Sequence, residues 1–338
     1  MTFTEADLED RLSEPTPAVV ETLARLDGDV ALLGVAGKMG PSLARMARRA
    51  SDAAGVRRRV IGVARFSGGG EGELRAHGVE TVRCDLLDEG QVRRLPDAAN
   101  VVFLAGRKFG STGNEAATWA MNSYLPGLVC HRYRSSRIVA FSTGNVYGLT
   151  PMDGPGSREG DAPRPVGEYA MSCPRSRAGL RALQPVARPP GGDHPPQLRL
   201  RPATACWWTW ARRVLAGEPI DLSMGHFNTI WQGDANAMAL RAFDHVASPP
   251  WVVNVTGPER LSVREVSELL GRLLGREVCF TGAEADTALL SDARPGLERL
   301  GPPRVSADRL IGWVADWVRR GGRSLGKPTH FESRDGKF

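Results

Sequence analysis

Three glycines in the stretch Val30-Ala-Leu-Leu-Gly34-Val-Ala-Gly37-Lys38-Met39-Gly40-Pro41-Ser-Leu stand where a strand would hand over to a helix. The residues before them are short and apolar, and those after them are amphipathic. At such a junction Gly34 permits a sharp turn and Gly37, lacking a Cβ, lets a pyrophosphate reach the backbone. Gly40 brings the helix close to the sheet, with its first N–H groups facing the phosphates. The chemistry implied is the holding of a dinucleotide, with Lys38 and Met39 in the same turn. The spacing is G-x-x-G-x-x-G and not the commoner G-x-G-x-x-G, and glycine spacing alone also occurs in turns that bind nothing.

A second candidate lies at the end of the next apolar run, Val60-Ile-Gly-Val-Ala64, where Arg65 follows. An acid there takes the ribose 2′-hydroxyl of NAD, whereas an arginine suits the 2′-phosphate of NADP. A solvated arginine at a strand end fits the same residues, so the pattern tilts only toward NADP.

The elements that would position these groups alternate. Residues 1–28 read as a helical lead-in, and a helix from Gly40 through Arg49 follows the first strand. Further strands are expected at 79–86, at Val101-Val-Phe-Leu-Ala-Gly106 and at Ile138-Val-Ala-Phe-Ser142, the fourth apolar throughout, as a strand covered on both faces should be. Strands alternating with helices predict an α/β, Rossmann-type doubly wound parallel sheet, with a smaller C-terminal substrate-binding part after about residue 211. Residues 29–173 would form the NAD(P)-binding unit.

In chain order come the glycine turn, Cys84-Asp85-Leu86, Leu104-Ala105-Gly106, Asn122, Ser142-Thr143-Gly-Asn-Val-Tyr147-Gly148 and Tyr169-Ala-Met-Ser. This order resembles the extended short-chain dehydrogenases/reductases, and within them the NAD-dependent epimerase/dehydratase group, which acts mainly on sugars and nucleotide sugars. Trp231-Gln-Gly-Asp234 and Val253-Asn254-Val-Thr-Gly257-Pro258 are similar to that group's later segments. The resemblance spans nearly the whole chain except 174–210.

The resemblance implies that Tyr169 is a general acid/base and that Thr143 holds a substrate oxygen. It also implies that Asp85 and Leu86 touch an adenine, with Leu104, Ala105, Gly106 and Asn122 along the coenzyme. The implied activity is hydride exchange on a sugar-like, hydroxylated substrate by an NAD(P)-dependent oxidoreductase or epimerase. In the family a lysine four residues after the tyrosine lowers its pKa; here that position is Cys173. A neutral thiol neither favours a phenolate nor grips ribose hydroxyls. Three readings therefore stand: Tyr169 works with weaker activation, the chain is a non-catalytic NAD(P)-binding or redox-sensing protein, or Cys173 is itself a nucleophile, although nothing near it in sequence offers a base. Gly144 and Asn145 occupy the places of the related dehydratases' acid pair, which argues against water elimination.

The remaining residues set bounds. The chain has 338 residues and a formal charge of +6, but the stretch from Pro174 to Trp210 holds six arginines against one acid, Asp193. The excess charge belongs to that stretch and not to a face for nucleic acid. Five scattered cysteines without a C-x-x-C pair suggest reduced thiols in a cytoplasm and no metal site. No run is long enough for a membrane span, and a homodimer is the expected assembly. Lys108, in the loop after the fourth strand, is expected to be solvated, as is His226; Trp313 and Trp317 are expected in the core.

The stretch 174–210 itself is punctuated by prolines and shows neither helical nor strand period, so the helix after Tyr169 and the next sheet strand read as missing. Codons for residues 191–199 exist that, read one base later, give Val-Ala-Ile-Ile-Arg-Leu-Asn-Tyr, a credible buried strand. A compensated frameshift and a genuine low-complexity loop are the two explanations.

Overall fold

The computed structural model describes residues 4–108, 110–173, 197–202, 207–323 and 332–336. Its centre is one parallel sheet of seven strands. These are β1 (Val30–Leu33), β2 (Val60–Ala64), β3 (Glu80–Arg83), β4 (Asn100–Phe103), β5 (Arg137–Phe141), β6 (Gln197–Pro202) and β7 (Trp251–Val255). Their spatial order is β7-β6-β5-β4-β1-β2-β3, and every neighbouring pair runs parallel. β1, β2 and β4 are buried at every position, which is why their sequences are runs of Val, Ile, Leu and Phe without alternation. The doubly wound class expected from the sequence is the class observed.

Two apolar layers cover the sheet. On one face, α2 (Pro17–Arg25), α3 (Gly40–Ala53) and α10 (Gln232–Arg241) pack Val19, Leu23, Leu43, Met46 and Met238 onto Leu32 and Val102. On the other, α5 (Glu89–Arg93) and α7 (Leu125–Arg132) contribute Val92, Leu125 and Val129 against Ala31, Val101 and Ile138. The lead-in is thus two short helices, α1 (Glu5–Leu12) and α2, each with a threonine N-cap. They are tied down by polar contacts: Arg45 pairs with Asp10 at 2.9 Å, and Asn236 Nδ2 donates to the Leu12 carbonyl.

A separate apolar cluster gathers α9 (Trp207–Ala216), α11 (Val263–Leu274) and α13 (Ala307–Arg319) around Trp210, Phe227 and Trp231. Trp313 packs there, its ring 5.3 Å from that of Trp231, while Trp317 is only half-buried and donates to the Arg323 carbonyl. Asp234 joins this cluster to the sheet by accepting from the Arg304 and Val305 backbones and from the Arg304 guanidinium.

The stretch read as featureless between 174 and 210 needs correction. Residues 197–202 form β6, in register with β5 on one side and β7 on the other. α9 begins at Trp207, because Trp210, Ala211 and Val214 recur at helical spacing on its buried side. The expected helix segment 174–196 and Cys206 lie outside the described residues.

Tyr133 closes α7 on the sheet. Its hydroxyl donates to the Pro96 carbonyl at 3.1 Å, and burial pushes the phenol up to about 12. The folded chain therefore holds this proton more tightly than the unfolded chain, whose phenol titrates near ~10. The contribution is fully present below that value and is lost as pH rises through the folded pKa. Tyr133→Phe is expected to flatten the fall in the urea midpoint above about pH 10; identical falls in both proteins refute this.

Candidate active site

All seven strands point the same way, so the loops after β1 to β5 share one edge of the sheet. The strand order reverses between β1 and β4, and a crevice opens there in doubly wound sheets. Gly34 and Ala105 sit on either side of it. Gly34 has a φ of +90°, and a Cβ on it would lie 2.7 Å from the Ala105 nitrogen, so only glycine fits.

Gly40 is more constrained still. A Cβ there would overlap the Val35 carbonyl oxygen and stand 2.6 Å from its carbon. Gly37 has room by comparison, with the Gly34 oxygen 3.3 Å away. Between them, Lys38 is exposed and Met39 half-buried. Helix α3 starts at Gly40 with no side-chain cap and no acid in its first turn. Its leading N–H groups therefore face the crevice unclaimed by a carboxylate, as a diphosphate requires.

After β2, Arg65 is largely exposed, and its guanidinium lies 3.9 Å from Asp85, which follows β3. Phe66 next to it holds a positive φ of 54° and is buried, which turns the chain back beneath the edge. Leu86 is buried, and Asp85 accepts from the Leu87 backbone. After β4, Leu104 and Ala105 are half-buried and Gly106 is exposed. These residues of the sequence-level set thus do stand along one edge.

The catalytic candidates gather beside them. Thr143 follows β5, and its hydroxyl donates to Asn145 Oδ1 at 2.9 Å. Tyr169 and Cys173 lie on a helix, α8, described over 167–173. Cys173 is buried with Val146 and Tyr147, and the Tyr169 ring packs against them. Burial pushes the Tyr169 phenol well above the ordinary range; the neighbouring Cys173 adds to that rise, and a hydrogen bond with Thr143 opposes it.

Asn122, expected along a coenzyme, also ties two segments together. It sits in a π-helical turn, Ala120–Tyr124, between α6 (Glu115–Trp119) and α7. Its Oδ1 accepts from the Arg107 backbone at 2.8 Å. Its Nδ2 donates to the Arg107 carbonyl and to Ser172 Oγ, each at 2.9 Å. Ser123 Oγ donates to the Ser172 carbonyl, and Trp119 Nε1 to Glu168. Asn122 therefore clamps the β4 loop to α8. Ser172 closes the Tyr169-Ala-Met-Ser motif and Glu168 had no signal, but neither contact was legible, since the clamp joins positions about fifty residues apart.

Lys108 is a correction. It is half-buried, and its Nζ stands 5.7 Å from the centroid of the Tyr169 ring instead of in solvent. The loop expectation failed because Asn122 draws the neighbouring Arg107 peptide inward. His226 is likewise half-buried, in a short strand pairing with Leu261 and Ser262.

Two open clefts, of about 650 and 700 Å³, lie at the opposite, amino edge of the sheet, one beside Arg48 and Arg59, the other beside Arg132 and Ser136. Neither is lined by any of the candidate coenzyme or catalytic residues, and the carboxyl edge is where doubly wound sheets bind ligands. Among the described residues no cluster of His, Cys, Asp and Glu suits a metal, and no helix is long and apolar enough to cross a membrane.

Residues 30–173 match the model of the NAD dependent epimerase/dehydratase family. No curated protein matches the chain. Among solved structures, MoeE5 in complex with UDP-glucuronic acid and NAD is similar at 22% identity and a TM-score of 0.68, over 87% of this chain and 100% of that one. UDP-glucuronic acid 4-epimerase from Bacillus cereus in complex with NAD superposes at a TM-score of 0.70 and 16% identity, over 87% and 100% of the two chains. UDP-glucose 4-epimerase from Thermotoga maritima with UDP-glucose gives 0.67 and 19%, over 87% and 99%. At these identities the likeness is one of fold.

Proposed function

We propose, for a chain whose residues 30–173 belong to the NAD dependent epimerase/dehydratase family, that it is an NAD(P)-dependent epimerase or oxidoreductase acting on a nucleotide-sugar-like substrate. The observation that carries this is the carboxyl edge itself. The glycine turn, with an uncapped α3 behind it, faces the same crevice that Thr143 and Tyr169 border. The solved structures of this fold named above hold NAD and UDP-sugars, which agrees with that chemistry.

The residues present fit the coenzyme. Gly34, Gly37 and Gly40, with Lys38 and Met39, would wrap the diphosphate; Asp85 and Leu86 would meet the adenine, and Leu104, Ala105 and Gly106 the ribose. When bound, the nicotinamide supplies an acceptor and donor of hydride. Tyr169 then takes the proton of a substrate hydroxyl at its phenolic oxygen and returns it, while Thr143 holds that hydroxyl's oxygen. α8 and the β5 loop fix the two groups relative to each other. We take 29–173 as the coenzyme part, the residues after about 211 as the substrate part, and the assembly as a homodimer. Tyr124 and Met171, exposed apolar side chains on adjoining helices, favour that assembly.

The redox-sensing alternative is disfavoured by the burial of Cys173, since sensor thiols are accessible and low in pKa. Incubating the purified protein with NAD and UDP-glucose or UDP-glucuronic acid tests the reading: a 4-epimer or an oxidised sugar is expected, and coenzyme that is neither bound nor reduced refutes it. NADP over NAD is the preference suggested by Arg65, which is exposed after β2 at a strand end that carries no acid of its own; the Asp85 carboxylate, which follows β3, lies 3.9 Å from its guanidinium. Arg65→Ala is expected to weaken NADP binding by roughly tenfold, the worth of one exposed charge-assisted contact, and to leave NAD unchanged. Equal losses for both coenzymes in a titration would remove the assignment.

A further inference from the structure

We propose that residues 332–336 are a strap, latched by Arg334, that fixes the substrate part to the start of α8 and so holds Tyr169 in place beside Thr143. This rests on the reading of Tyr169 as the proton carrier. Arg334 is half-buried, and its guanidinium reaches three oxygens on two segments of the substrate part. Nη1 donates to the Ser223 carbonyl at 2.9 Å and to the Thr287 carbonyl at 2.8 Å, and Nη2 donates to Thr287 Oγ1 at 2.6 Å. A planar fork of fixed donors makes such a joint, and the point charge of a lysine does not.

Two residues further on, the strap meets the helix. Gly336 has a φ of +73°, and Gly167, which opens α8, has a φ of +80°. A Cβ on Gly167 would overlap the Gly336 carbonyl oxygen, and one on Gly336 would overlap the Val166 carbonyl oxygen. The two backbones thus touch directly, two residues before Tyr169. The segment bearing Thr143 is tied to the same latch. Thr287–Ala288 pairs antiparallel with Thr150–Pro151, which follows the turn Gly144–Tyr147. Arg164, just before α8, donates its N–H to the Val146 carbonyl at 2.9 Å. Arg334 therefore stands where the chains leading to Thr143 and to Tyr169 both meet the substrate part.

The other holds on these elements do not replace the strap. Asn122 grips the far end of α8 through Ser172, which ties the helix to the coenzyme part. Only a contact from the other side can set the helix against the substrate part. Within the strap, Glu332 lies 3.8 Å from Arg213 on α9, a pair open to water that contributes little. Ser333 Oγ donates to Asp335 and so stays inside the strap. A shift of about 1 Å in a reacting group can cost about 10²-fold in rate, so the joint needs to give only slightly to matter. Arg334 acts through the backbone at Gly167 and is a positioning residue.

The test is amide hydrogen exchange over 166–173, read by mass spectrometry, with turnover of UDP-glucose by the NAD-loaded protein measured alongside. Arg334→Met keeps the aliphatic stem and removes the donated bonds. It is expected to speed exchange over 166–173 by roughly tenfold and to lower kcat by about tenfold. KM for UDP-glucose and affinity for NAD should stay within about twofold, since the strap touches neither the glycine turn nor Thr143. Gly336→Ala leaves the latch intact and drives a methyl into the Val166 carbonyl. It should give the same result, and it serves if the methionine variant does not fold. In a Tyr169→Phe protein, Arg334→Met should cost kcat nothing further, because a residue that acts through the phenol cannot act without it. Exchange at wild-type rates in both variants overturns the proposal. So does an undiminished tenfold loss in the Tyr169→Phe protein, which a merely structural role would give. The functional reading fails separately. Faster exchange in a protein whose turnover is indifferent to Tyr169→Phe, or that turns over no UDP-sugar, keeps the strap and removes the proton carrier.

Discussion

Tyr169→Phe is expected to lower turnover of a UDP-sugar by about 10²–10⁴-fold, the usual share of a positioned acid/base group. Melting temperature and coenzyme affinity should stay at wild-type values. The substitution keeps the ring that packs on Val146, Tyr147 and Cys173 and removes only the hydroxyl. The direction of the pH dependence follows from the same surroundings. Burial holds the phenol protonated well past neutrality, so a rate that requires its base form rises with pH across the neutral range. Product formation followed by proton magnetic resonance at several pH values reads both effects. Turnover within about twofold of wild type would mean that the proton moves elsewhere, since general acid/base groups contribute far more than that.

The second large effect separates two glycines that look alike in the sequence. Gly40→Ala is expected to cost about 3 kcal/mol or more, because the new methyl would overlap the Val35 carbonyl, and neither backbone segment has slack to retreat. Gly37→Ala places its methyl 3.3 Å from the Gly34 oxygen, a contact relieved by a shift of a few tenths of an ångström. The fold should therefore tolerate it to within about 1 kcal/mol, while a methyl at the point where a diphosphate meets the backbone should weaken NAD by tenfold or more. Urea unfolding and coenzyme titration on both variants decide the matter. If Gly37→Ala bound NAD as well as wild type does, the turn would be structural only.

This contrast shows how much of the molecule was legible in the order of residues. The apolar runs of β1, β2 and β4 announced a sheet covered on both faces, and the glycine turn announced its carboxyl edge, because both are local patterns. What the sequence could not give was any contact that joins distant segments. Lys108 read as solvated because nothing near it in the chain shows that Asn122, fourteen residues on, holds its loop. The hold of Asn122 on Ser172 was invisible for the same reason.

β6 was missed differently. Gln197, Arg199 and Arg201 alternate in a strand that has neighbours on both sides, where an apolar run is the rule. The Val-Ala-Ile-Ile-Arg-Leu-Asn-Tyr of the shifted frame covers the codons of 191–199, of which only 197–199 fall in β6. The frameshift therefore stands as our proposal for this stretch, and resequencing the gene tests it. A clean read encoding the present residues would leave a sheet with guanidinium-bearing residues along an interior strand.

The single π-helical turn has a consequence for the opposite face of the sheet. Each residue of an α-helix advances the chain by about 100° around its axis, so one surplus residue in 120–124 sets the angular phase of everything in α7. Leu125, Val129 and Cys130 face Val101 and Ile138 only in that phase. Deleting a residue there would not merely release Asn122; it would rotate an entire apolar stripe out of the core. Lineages descending from this chain are therefore bound to keep the insertion for packing, whatever becomes of the chemistry beside it.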